Sequence, residues 1–179
     1  MFYQVKDSKR TGRTVSLLLA LAVFLLFLSA CGGGGSGGAA KTAVTSDTFK
    51  ESAVALGYEV EDLTYMYEGD ANILGCYECT IGNLVVDFYV FDSADSGATF
   101  FDNNKSMISM FATGTRQENT EPWKREGNYQ RYTLTSDNDY ALISWVEDTA
   151  LQATCYNYEK AAVDESSKSL GELLKKIGY

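Results

Sequence analysis

Cys76-Tyr77-Glu78-Cys79 is the spacing in this chain most suggestive of chemistry, because two thiols three residues apart can cycle between dithiol and disulfide when a helix N-terminus lowers one thiol pKa. Its surroundings argue for a blander role. Thr80 and the β-rich flanks place both cysteines in a strand, where positions three apart point to opposite faces, and no βαβ pattern encloses them. Small buried hydrophobes are the simpler reading. The chain contains no His, which removes Ser-His-Asp and Cys-His catalysis and most zinc sites together. Cys155 alone cannot complete a zinc set with Cys76 and Cys79. Asp92, Asp95, Asp137, Asp139 and Asp148 raise calcium, but Ala94 stands where a second EF-hand ligand belongs and Asn103 where the closing Glu belongs. Helix capping and turn formation account for these carboxylates. No glycine-rich phosphate loop follows a strand, no G-x-S-x-G elbow occurs, and no pair of acids stands out for glycoside cleavage. No metal and no cofactor is therefore expected.

The remaining chemistry is aromatic. Tyr65, Tyr67, Tyr129 and Tyr132 fall in expected strands, and Trp123 follows Pro122 at the end of a polar stretch. A sheet face carrying several Tyr side chains could hold a glycan, a peptide or a protein by stacking plus hydroxyl hydrogen bonds. The alternative arrangement has helices over that face, with the rings in the core and the hydroxyls at its rim.

These residues are positioned by a readable series of elements. Thr45-Ser46-Asp47-Thr48 is a cluster of N-cap residues followed by Phe49, Ala53 and Leu56 at helical spacing, with Gly57 as C-cap. Glu59 to Tyr67 reads as a strand. Ile73 to Thr80 and Leu84 to Phe91 read as a hairpin around Ile81-Gly82-Asn83, the second strand apolar on both faces and hence central. A helix follows from the Asp92-Ser93-Ala94-Asp95 caps to about Phe111, then an exposed loop from Ala112 to Pro122. A three-stranded meander occupies Tyr129 to Tyr158, and a helix from about Val163 to Ile177 closes the chain with Lys175 and Lys176 suiting its C-terminal dipole. The expected fold is a single α+β domain with an antiparallel sheet of about six strands, in the order helix, three strands, helix, three strands, helix. Its helices should lie mainly on one face. The αβββ order and the similar tripeptides Leu56-Gly57-Tyr58 and Ile177-Gly178-Tyr179 reflect shared capping chemistry rather than duplication.

Ahead of this domain, Lys6, Lys9, Arg10 and Arg13 precede an uncharged apolar run from Val15 to Ala30, shorter than the roughly 20 residues a spanning helix wants. A positive start, a short apolar stretch and small residues at its end form a secretory signal peptide. Leu28-Ser29-Ala30-Cys31 then resembles the lipobox of bacterial lipoproteins. That resemblance covers about the first 31 residues and implies cleavage before Cys31, a diacylglycerol on its sulfur and acyl-chain anchoring at the extracytoplasmic face of the cell membrane. Gly32 to Gly38, six glycines around Ser36, looks like the tethers of Gram-positive lipoproteins. Such a chain is flexible and holds its domain about 15–20 Å from the lipid. The organisation is thus a signal peptide over 1–30, a lipidated Cys31 with tether over 31–44, and a globular domain over 45–179.

Outside the cytoplasm Cys76, Cys79 and Cys155 allow one disulfide with one thiol left over, in three pairings. Cys155 with Cys76 or Cys79 is favoured, because neighbouring antiparallel strands bring side chains into reach whereas a bond within one extended run is strained. The chain carries 15 basic and 24 acidic side chains, of which the first 30 residues take four basic and Asp7, so residues 31–179 hold 11 against 23 and a net charge of -12. Nucleic acid is excluded as a partner by that field. The expected function is a lipid-anchored extracytoplasmic binding or interaction module rather than an enzyme, with a membrane contact through Cys31 and a protein, peptide or glycan ligand. Two alternatives from other classes are a small surface enzyme or thiol-redox protein using Cys76 and Cys79, and an assembly component of a membrane complex.

Overall fold

The computed structural model describes residues 40–111, 115–122 and 127–179, so the signal segment, Cys31, the glycine tether and Trp123 lie outside the described residues. Thr45 caps α1 (Ser46–Ala55) by accepting the Thr48 N–H on its hydroxyl at 3.2 Å, and Gly57 leaves the helix at a φ of 88°. Residues 41–44, assigned with the tether from sequence, are already held: the Ala43 N–H donates to Glu147 Oε2 at 3.0 Å and the Lys41 N–H to Asn128 Oδ1 at 3.1 Å.

The strand expected to run from Glu59 to Tyr67 stops early. β1 spans Glu59–Asp62, because the Asp62 carboxylate accepts the Thr64 N–H at 2.9 Å and bends the chain into a 3-10 turn, Thr64–Tyr67. β2 (Ile73–Ile81) and β3 (Leu84–Phe91) form the expected hairpin, with Gly82 at a φ of 56°. α2 (Ala94–Phe111) begins where the Ser93 hydroxyl accepts the Ser96 N–H at 3.2 Å. The expected loop from Ala112 to Pro122 is corrected in part, since β4 (Arg116–Glu121) pairs with β5 (Tyr129–Ser136) at the sheet edge. Its sequence has no apolar alternation to read, because an edge strand exposed on both faces buries almost nothing and is held by backbone pairing. The sheet therefore has seven strands, not six. β6 (Tyr140–Val146), β7 (Thr149–Cys155) and α3 (Lys160–Ile177) complete the chain, the last capped by Gly178 in the left-handed region.

Every strand pair is antiparallel, in the order β1-β2-β3-β7-β6-β5-β4, so two meanders meet at β3 and β7 in one α+β domain. Alternation along β3 sends Leu84, Val86 and Phe88 to one face and Tyr89 and Phe91 to the other. On the first face α1 and α3 bring Phe49, Leu170 and Leu173 onto Phe88 and Leu142. Phe49 stacks on Phe88 with ring centroids 4.4 Å apart. On the second, α2 sets Phe101 and Ile108 against Tyr132, Ile143 and Trp145. Two of the three described helices share a face. α1 and α2 lie on opposite faces of the sheet. Among the described residues no helix is long and apolar enough to cross a membrane.

Candidate functional site

The thiols do not form a working pair. Cys76 and Cys79 lie on opposite faces of β2, the first beside Tyr89 on the one-helix face and the second in the two-helix core. Burial, followed by the negative charge of Asp87, pushes the Cys76 thiol up to about 11 and the Cys79 thiol up to about 12. A redox cysteine needs the opposite shift. The expectation that Cys155 neighbours Cys76 or Cys79 is corrected by the sheet order: β3 lies between β2 and β7. Cys79 faces Val86, which faces Ala153, while Cys155 faces Tyr140, so the sulfurs of Cys79 and Cys155 share a core two strands apart. Two strand spacings are about 9–10 Å, beyond the reach of a disulfide. All three thiols are free and buried.

The tyrosines expected to share a surface are dispersed. Tyr65 is exposed on the 3-10 turn, while Tyr67 packs edge-on against Tyr89 with their hydroxyls 3.4 Å apart. Tyr129 leans on the two-helix core beneath the Lys41 ammonium. Tyr132, three residues on, points to the other face and is 2% exposed. The aromatic binding surface is corrected accordingly: strand alternation and helix coverage send its members to both faces and into the core, and Trp123 lies outside the described residues. Two of the aspartates make turn and capping bonds of the kind expected of them. Asp92 accepts the hydroxyls of Ser93 and Ser96 at 3.1 and 2.6 Å, and buried Asp139 accepts the Ser136 hydroxyl and the Asn157 N–H, both at 3.0 Å. Among the described residues no cluster of acidic or thiol side chains could hold a metal.

Sequence reading missed a concavity at one end of the hairpin. Where β2 begins and β3 ends, the first turns of α2 close a pocket of about 360 Å³. Its apolar floor is Ile73, Phe91 and Phe100, the two rings tilted by 47° with centroids 5.2 Å apart. Around this floor stand Asp70, Asn72, Asp95, Thr99 and Asn103. The Asn72 N–H donates to Asp70 Oδ1 at 2.9 Å, and the Asn72 carbonyl accepts the Asp92 N–H at 3.0 Å, which ties the wall before β2 to the wall before α2. Asp95 was legible as a capping residue of α2, whereas Phe100 lies beside the helical stripe and was not singled out. Their approach to Asn72 and Asp70 needs the β2–β3 hairpin and leaves no local signal.

A second feature lies on the part of the one-helix face that α2 leaves open. Register sets Glu61 opposite Glu78 and Glu78 opposite Asp87, three carboxylates in line across β1, β2 and β3. Burial, with Glu78 adding to it, pushes the Asp87 carboxyl up to about 6. No ion pair reaches these three among the described residues. No protein-family model matches the chain, and no curated protein is significantly similar to it.

Proposed function

We propose that the chain is a lipid-anchored extracytoplasmic binding module, fastened to the membrane through Cys31, with the pocket between the β2–β3 hairpin and α2 as its ligand site. The pocket is the observation that carries the reading: an apolar floor with a few convergent polar side chains is the composition of small-molecule sites. The thiol-redox alternative loses its support, because its two sulfurs face apart and burial holds both protonated.

Two measurements test the two halves of the proposal. Cys31→Ser is expected to release the protein into the medium or to leave it unprocessed, whereas unchanged membrane retention with normal processing would remove the anchor. A screen of small polar fragments by amide NMR shifts is expected to return hits that move Asn72, Ser96 and Thr99. Hits confined to other surfaces would remove the pocket.

A further inference from the structure

We infer that this pocket takes a neutral polyhydroxylated ligand, a saccharide or related polyol, rather than an anion or an organic cation; the inference rests on the binding-module reading. A helix N-terminus invites anions, so an anion is the first candidate to weigh. Here the invitation is already answered. The Ser96 N–H donates to Ser93 Oγ at 3.2 Å and the Gly97 N–H to the Ser93 carbonyl at 3.2 Å. Asp92 and Asp95 sit at the positive end of α2, and among the described residues no Lys or Arg lines the pocket. A phosphate or carboxylate would meet two lining carboxylates, Asp70 and Asp95, and find few donors.

A cation is drawn by those carboxylates, but both are exposed, where water weakens the attraction, and the α2 dipole opposes it. An aromatic cage would also need a free ring face. Phe91 is stacked against Tyr89 and tilted against Phe100, so aromatic neighbours already occupy its surroundings.

A polyol suits what remains. Vicinal hydroxyls both donate and accept, and they need a rim that does the same. Carboxamides of Asn72 and Asn103 and the Thr99 hydroxyl supply donors and acceptors, and Asp70 and Asp95 supply acceptors. The Asn103 and Thr99 side chains have no hydrogen bond within the described residues, whereas Asn104 beside them donates to the Phe100 carbonyl at 2.9 Å. Ile73 and the partly exposed Phe100 offer apolar surface to the C–H face of a sugar ring, with Phe91 buried beneath them.

The full chain in detergent, labelled with nitrogen-15, is titrated separately with N-acetylglucosamine, methyl glucoside, trehalose, inorganic phosphate and choline. At least one saccharide is expected to move the amides of Asn72, Ser96, Thr99 and Asn103 saturably with a Kd of about 1 mM or tighter. Asn103→Ala and Thr99→Ala, both at exposed positions that leave the fold intact, should each weaken that binding about tenfold. Saturation of the same amides by phosphate or choline and not by any saccharide overturns the ligand class while leaving the pocket as a site. Silence of these amides to all five probes overturns both. Unchanged saccharide affinity in the two variants places the sugar elsewhere and overturns the inference.

Discussion

The two faces of the sheet carry opposite burdens. On one, α1 and α3 close a continuous core in which Phe49, Phe88, Leu142, Leu151, Leu170 and Tyr179 meet, and the Tyr179 hydroxyl bonds to Thr149. On the other, α2 is the one described helix over β6, β7 and the end of β3, and Glu61, Glu78 and Asp87 form a row with no ion pair among the described residues, with a pocket at the rim. Like charges directly opposite on adjacent strands destabilise a sheet, and a half-buried carboxylate adds desolvation. The fold tolerates both because the two-helix face supplies enough burial to offset them. Stability and exposure are thus divided between faces, which leaves the one-helix face freer to carry polar recognition groups.

The largest effect that would break this division is expected from Phe88→Ala. It removes a ring with no exposure that contacts Phe49 and Tyr179, and should lower unfolding free energy by about 3–5 kcal/mol in a denaturant titration. A loss no larger than that of an exposed substitution would mean that the two-helix face does not hold the domain together.

Gly97→Ala probes how tightly the single helix is seated. An added Cβ would lie 2.8 Å from the Glu147 carbonyl and 2.9 Å from the Trp145 ring, whose indole N–H donates to that same carbonyl. The helix-propensity gain of about 1 kcal/mol should be outweighed, giving a net loss of about 2 kcal/mol. A net gain in melting temperature would show α2 free to shift away from the sheet.

The smallest effect concerns the carboxylate row. Asp87 holds its proton more tightly folded than unfolded, with a pKa near 6 against 3.8, so its contribution to stability is complete below pH about 4 and is lost as pH rises through about 6. The loss should amount to about 1–2 kcal/mol, allowing for partial solvation. Asp87→Asn should flatten that part of the stability profile. Glu78→Gln should lower the Asp87 pKa without restoring 3.8, because burial is the larger cause. A flat wild-type profile between pH 4 and 6 would put the Asp87 carboxylate in open water.

Much of the scaffold was readable from local pattern. The Thr45 cap, the Gly82 turn, the last-turn lysines of α3 and the alternation of β3 each arise from interactions within a few residues, and each recurs in the fold. Opposite orientation of Cys76 and Cys79 was legible for the same reason, since period-two alternation is a property of any strand. The failures share a different cause. β4 carries no periodicity because an edge strand buries little, β1 ended early because one Asp62 side chain captured a backbone N–H, and Cys155 could not be matched to a neighbour without the strand order.

From the residues alone came an acidic domain of mixed helices and antiparallel strands, lacking histidine chemistry, together with the expectation of a lipidated leader ahead of it. Only the tertiary fold decided which strands adjoin, which tyrosines are covered and where a pocket opens. Backbone geometry and capping act over a few residues and leave their mark in composition and spacing. The meeting of Asp70 and Asn72 with Asp95 and Phe100 depends on a hairpin that returns the chain to its start, and that closure is set by the packing of the whole sheet.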